Sequence, residues 1–391
     1  MLGLRGAACR LLRAGVLLCL ELSACGARTP LEEPTGKALG VTCGGAHTCA
    51  WTTEHRLSCW GANQYGQLGS SSGTDSAIPI RIPDASLRVS TASAGDDHTC
   101  ALQGSPGRVS CWGDHISGEL GGDPASAQLG ARVDVGTLGA QVLAIGTGDQ
   151  FSCALAASGR VSCWGANGAD ECGIGSGDPV IRLPVEVRGL PQDIVALAVG
   201  GSHACALSSG GAVRCWGSNE FGQLGVSAGQ AGDLREAVDL PHIIGIATGQ
   251  NHSCALTDAG SVKCWGSNSF GQLGDRSTRD SSTPVDVFGA QGTARLATGP
   301  TSHMTCALDA VGQMKCWGFA NSDLVIGGSA HNGPIAIPGL DFALESVAMG
   351  SRHACAVTRT GYLLCWGNND DGQLGIGVRT ASQLPELVSE L

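Results

Sequence analysis

The chain has 391 residues, a formal net charge of −11, 61 glycines and only 4% aromatic side chains. No basic cluster interrupts that acidity, which excludes recognition of a phosphate backbone. The glycine content, and the lack of any long segment of 3.6-residue period, exclude a mainly helical chain.

Residues 1–24 have the build of an export leader. Arg5, Arg10 and Arg13 supply positive charge, and Ala14 to Leu20 form an apolar core too short to span a bilayer. Leu22-Ser23-Ala24-Cys25 resembles the cleavage box of bacterial lipoproteins. The resemblance implies acylation of Cys25 as the new first residue, and Gly26 after it implies passage to the outer membrane or cell surface. Without the leader, the chain keeps twenty basic against thirty-three acidic residues, a net −13. Residues 25–39, rich in Pro, Glu and Thr, read as a flexible tether.

From residue 40 to 391 the chain repeats itself. A Cys-Trp-Gly triplet begins at Cys59, Cys111, Cys163, Cys215, Cys264, Cys316 and Cys365, in steps of 52, 52, 52, 49, 52 and 49 residues. A fixed period of this size means a repeat architecture. In the copy from Cys254 to Gly274, Cys254-Ala255-Leu256 is a short strand and Thr257 to Gly260 a turn. Ser261 to Trp265 then alternates polar and apolar, the mark of a half-buried strand. The two runs form a bulged hairpin. Its Gly260, at a position needing positive φ, recurs as Gly159, Gly211, Gly312 and Gly361, with His55 in the first copy. Gly-Gln-Leu-Gly follows at 66–69, 222–225, 271–274 and 372–375, varied at 118–121 and 170–173 and lost after Phe319. An outer strand such as 183–187 and an apolar run such as 194–199 complete four strands per unit. The last unit ends on its outer strand. Whether that strand stays in its own sheet or closes the first is open at this level.

Hairpin geometry pairs the cysteines. Closing a hairpin with Thr257 and Ser261 sets Cys254 opposite Cys264 on a non-hydrogen-bonded rung, where Cα atoms lie about 4.5 Å apart, within disulfide reach. The same reasoning predicts Cys49–Cys59, Cys100–Cys111, Cys153–Cys163, Cys205–Cys215, Cys306–Cys316 and Cys355–Cys365. Export to an oxidising compartment suits such bonds. Cys43 and Cys172 fall outside the pairs, at apolar positions, and read as small buried hydrophobes.

Gly249, His252, Ala255-Leu256-Thr257, Gly260, Val262, Trp265-Gly266, Asn268 and Gly271 to Gly274 together resemble the repeat of the regulator of chromosome condensation family. The likeness runs over residues 40–391 and implies an all-β fold, a seven-bladed β-propeller of four-stranded antiparallel blades. The added cysteine pair in every copy departs from that family. Three functions follow from the resemblance or the composition. The first is a non-enzymatic module that binds a protein, or a glycan, at the cell envelope through the loops that break the repeat: 114–128, 226–236 and 319–333. Secreted bacterial relatives in this superfamily include a protein inhibitor of β-lactamase. The second is nucleotide exchange on a small GTPase, the founder's activity. That activity depends on a protruding β-wedge, for which steps of 49 to 52 residues leave no room. The third is a polysaccharide-acting enzyme, which needs paired carboxylates across one cleft, and nothing in the sequence singles out a pair.

No cofactor, metal or catalytic residue is expected. His47, His98, His203, His252, His303 and His353 recur just before the first Cys, with Phe151 in the third copy. One His per unit lies on a ring, where ligands do not converge on a metal, and the reading is a His bonding backbone in its own blade. Asn368 to Gly372 lacks the full alternating-ligand loop of a calcium site. The expected state is a monomer that touches the membrane only through its lipid.

Overall fold

The computed structural model describes residues 36–391 except 83–87, 105–106, 123–127, 137, 140, 230–234, 237–239, 241, 319–330 and 390. The leader and Cys25 lie outside the described residues. Seven four-stranded antiparallel sheets, each in simple chain order, form the blades of a propeller. The described residues contain no helix. Blade 1 consists of Ala38–Cys43, His47–Thr52, Leu57–Gly61 and Ser76–Arg81. The outer strand shrinks to Val133–Asp134 in blade 2 and to Arg235–Glu236 in blade 4.

Residue pattern explains the blade. The second strand of blade 5, His252–Thr257, is buried at every position, because its two faces pack against the neighbouring blades. The outer strand Ser281–Asp286 carries Ser, Thr, Pro and Asp and is only partly covered. The hairpin between second and third strands turns through Gly260 at φ 73°, and His55 takes the same turn at φ 63° in blade 1. Each third-strand Trp is fully buried between its own blade and the preceding one; Trp265, for example, packs with Leu224 and Cys215 of blade 4.

The seven disulfides join the residue pairs that hairpin register dictates, each with Cα atoms 4.1 Å apart. Blade 2 has one more turn residue, yet Cys100 still faces Cys111. The bonds sit mid-blade, out of water. Cys43 and Cys172 are free and buried.

The last strand, Ser382–Leu387, remains in its own blade. The ring therefore closes by packing and by bonds between blades 7 and 1. The Ala38 amide donates to the Gly361 carbonyl at 3.0 Å, and Trp60 Nε1 donates to the Gln373 carbonyl at 2.9 Å.

Every inner strand bulges at its second residue. In blade 4, Ile194 faces Ser208 and Ala196 faces Leu207, so Val195 is the extra residue and points to solvent. The equivalent residues are Leu39, Ser90, Leu143, Ile244, Ala294 and Glu345. All seven lie at one end of the ring, the end at which the hairpins turn. The Gly-x-x-His turns and the long loops lie at the other.

Candidate functional site

The polar groups at each seam between blades come first, because they decide which side chains are scaffold. His203 Nε2 lies 2.9 Å from Ser253 Oγ of the next blade. Ser253 donates its own proton to the Gln223 carbonyl at 2.9 Å, and Trp265 Nε1 donates to the same oxygen at 2.8 Å. A hydroxyl that gives away its proton can only accept, so His203 carries its hydrogen on Nε2. The Nδ1 atom is buried without a partner. The ring lies so close over Gly200 that a Cβ there would sit 2.5 Å from Cε1. This explains the Gly three residues before the His.

The unit repeats as His47–Thr99, His98–Ser152, His252–Thr305 and His353–Thr48, at 2.7 to 2.9 Å. Burial holds these imidazoles neutral. The pKa falls to about 4 for His47 and His203 and to about 3 for His98, His252 and His353. The expected bond to backbone within the same blade is thus corrected. The main-chain groups of these strands are already paired in the sheet, and Nε2 reaches the neighbouring blade instead. His303 also leaves the set. An extra residue precedes Cys306, so Met304 takes the rung opposite Gly318, and His303 packs against Phe270 with ring centres 5.0 Å apart.

Exceptions come in matched pairs. Phe151 faces a blade whose hydroxyl position holds Ala204, and Met304 faces Ala354. Where the imidazole is absent, so is the hydroxyl. This signal stands in the residue before each first Cys, and sequence reasoning passed over it. Among the described residues the seam between blades 6 and 7 also lacks the third element. The sixth copy has no Gly-Gln-Leu-Gly, and Trp366 Nε1 is buried with no partner among the described residues, whereas the other six blade Trp each have a carbonyl.

Two Gly-x-Ser-x-Gly stretches, 69–73 and 225–229, also escaped the sequence reading. Their Ser71 and Ser227 are exposed on loops, without the strand-to-helix turn that makes such a serine a nucleophile.

The ends of the ring remain as candidate surfaces. All three repeat-breaking loops join third to outer strands, so they share the end with the Gly-x-x-His turns. Residues 123–127, 230–234 and 319–330 of those loops lie outside the described residues. Loops and turns at this end hold fourteen described carboxylates against five arginines. Several carboxylates crowd near blades 1 to 3. Burial, then the neighbouring Asp96 and Asp114, raise Asp97 to about 6. Burial chiefly raises Glu119 and Asp149 to about 7. Glu119, 1% exposed, stands where four other blades have Gln, and its Oε2 has no partner among the described residues. Among the described residues no three His, Cys, Asp or Glu side chains are grouped to hold a metal. The inner strands leave a central cavity of 280 Å³ that Cys43 and Met349 help to line. Burial lifts the Cys43 thiol to about 12. At the hairpin end the turns and connections hold four described carboxylates against six Lys and Arg.

A family model described as RCC1-like domain matches residues 107–391, and models of the regulator of chromosome condensation (RCC1) repeat match 54–102 and 40–67. The chain belongs to the RCC1 repeat family. The RCC1-type chain is 32% identical over 210 residues to the mouse E3 ubiquitin-protein ligase HERC2, a stretch covering 50% of this chain and 4% of that protein. It is 31% identical over 189 residues to the ultraviolet-B receptor UVR8 of Arabidopsis thaliana, covering 48% and 42%. It therefore spans less than half the length of these relatives. Its fold matches Prp20p of Saccharomyces cerevisiae with a TM-score of 0.75 at 23% identity, over 86% of this chain and 87% of that one.

Proposed function

We propose that this RCC1-type propeller is a non-enzymatic binding protein of the cell envelope, exported and held by acyl chains on Cys25. The observation that carries this reading is the buried disulfide in every blade. Seven such bonds form and persist in an oxidising compartment and not in a reducing cytosol, which fits the leader and the lipoprotein-like box. Binding then falls to the long-loop end, where 114–128, 226–236 and 319–333 depart from a scaffold whose His, Trp and Gly-Gln-Leu-Gly groups are committed to holding blades together. The partner is a protein, or a glycan, and the propeller acts as a monomer without cofactor or nucleic acid. The Prp20p structure is described together with binding to Gsp1p and histones, which supports a propeller that works by contact.

A tagged full-length chain, used to capture partners from envelope extract, tests the reading. One discrete protein, lost when the three irregular loops are replaced by consensus turns, is the expected result. Turnover of envelope polysaccharide without a captured protein, or accelerated nucleotide release from a small GTPase, overturns it.

A further inference from the structure

The hairpin end carries a pattern that the loop-binding reading does not use. The bulge residues Leu143, Val195 and Ile244 stand on three consecutive blades and are 56%, 58% and 59% exposed. Leu39, at the same position of blade 1, is 47% exposed. The bulge is what exposes them: one extra residue per inner strand turns its side chain away from the blade. Large apolar side chains set side by side in solvent mark an interaction surface.

Three further observations say what covers it. The described chain begins at this same end, where Lys37 accepts from the Thr53 amide and Ala38 donates to Gly361 in the hairpin of blade 7. Ten residues lie between Cys25 and Gly36, a reach of at most about 40 Å. An acylated Cys25 therefore joins the ring to the bilayer from the hairpin end. Charge points the same way. The connections of the hairpin end are close to balanced, with six Lys and Arg against four described carboxylates and Asp84, Asp239 and Glu390 outside the described residues. Arg188 shares the turns beside the arc with Asp193 and Asp258, and Arg160 lies 3.7 Å from Glu186, whereas the loop end is strongly acidic. An anionic lipid surface repels the second far more than the first.

We infer that the arc of Leu143, Val195 and Ile244 seats the hairpin end on an anionic lipid surface, so that the propeller lies flat with its acidic loop end outward. Blades 3 to 5 lie across the ring from blade 1, so tether and arc hold the ring at two separated places. A single apolar signal binds reversibly and two hold. The inference rests on the lipid anchor of the proposed function and adds a second membrane contact to it.

The test compares the full-length protein with its Val195→Asp/Ile244→Asp variant in phosphatidylethanolamine/phosphatidylglycerol vesicles, by amide hydrogen exchange. Thermal unfolding of both checks that the variant folds. Exchange around Leu143, unmutated in both, is expected to be about tenfold slower in the parent chain, with the loop end alike in the two. Equal exchange at Leu143 overturns the inference. So does protection that grows with the protein-to-lipid ratio, which means a second copy covers the arc. Mass spectrometry of Cys25 reports on the anchor separately. If Cys25 is unmodified, the same comparison with excess vesicles still reads the arc: protection confined to it supports the seating, and none refutes it.

Discussion

Imidazole and hydroxyl act as one unit across five of the seven seams, and the His203–Ser253 pair tests it. Ser253→Ala removes the acceptor of His203 Nε2–H, 2.9 Å away, and leaves that donor buried. Stranding a buried donor costs about 1–3 kcal/mol. The Gln223 carbonyl keeps Trp265 Nε1 as a donor, so the damage stays on the histidine. His203→Phe leaves Ser253 bonded to the same carbonyl and removes only the bond it accepted, a cost of about 1 kcal/mol. The double variant recreates the pair that blades 3 and 4 already hold, Phe151 against Ala204. Its cost is therefore expected to fall below the sum of the singles by about 1 kcal/mol or more, within the usual range for coupled neighbours. Urea unfolding with disulfides intact, at constant m-value, measures the cycle. Additivity within about 0.5 kcal/mol, the behaviour of independent sites, would refute the unit.

The five seam histidines also set acid stability. Their folded pKa of about 3 to 4 lies below the unfolded value, so their contribution is complete above about pH 6.5 and is lost as pH falls toward 4, by up to about 1.4 kcal/mol per pH unit for each. Asp97, Glu119 and Asp149, raised to about 6, 7 and 7, act oppositely and favour folding as pH falls from 7 toward 4. Asp96, Glu171 and Asp371 are raised too, by less. The five large histidine shifts outweigh these carboxylates, and the thermal midpoint should drop below about pH 6; a midpoint that rises toward pH 4 contradicts the assignment. Glu119→Gln, which restores the residue of four other blades, should stabilise by about 1 kcal/mol above pH 7 and lose that gain as pH approaches 4.5. An equal effect at both pH values rules out the carboxylate as its cause. Trp366→Phe should cost about 1 kcal/mol less than Trp265→Phe, since Trp366 Nε1 has no partner among the described residues; equal costs refute that. Alkylation should label neither Cys43 nor Cys172 in the folded protein, both on unfolding, and the fourteen bridged thiols only after reduction. Labelling of the bridged cysteines without reductant contradicts the pairing.

What the sequence determined alone was everything that repeats locally. The spacing of Cys-Trp-Gly counts the blades, and a hairpin with Thr257 opposite Ser261 leaves Cys254 no partner but Cys264, because antiparallel register is set within a few residues of the turn. His55 at a glycine position was legible for the same reason, since positive φ is a property of one residue. The matched pairs Phe151/Ala204 and Met304/Ala354 were present in the sequence but could not be read as pairs, because their members stand about fifty residues apart and meet only when blade packs on blade. That packing decided the partner of each imidazole, put Met304 and not His303 on the rung, and left Trp366 without a carbonyl among the described residues. It decided ring closure as well. The last strand has the same local pattern whether it stays home or crosses to blade 1, and packing together with bonds between blades 7 and 1, among them Ala38 to Gly361, Trp60 to Gln373 and Thr48 to His353, holds the ring shut without it. The exposed arc depended on tertiary structure too. Leu143, Val195 and Ile244 read in sequence as ordinary members of apolar strands, and a one-residue bulge, invisible to a two-residue period, turned them into the solvent.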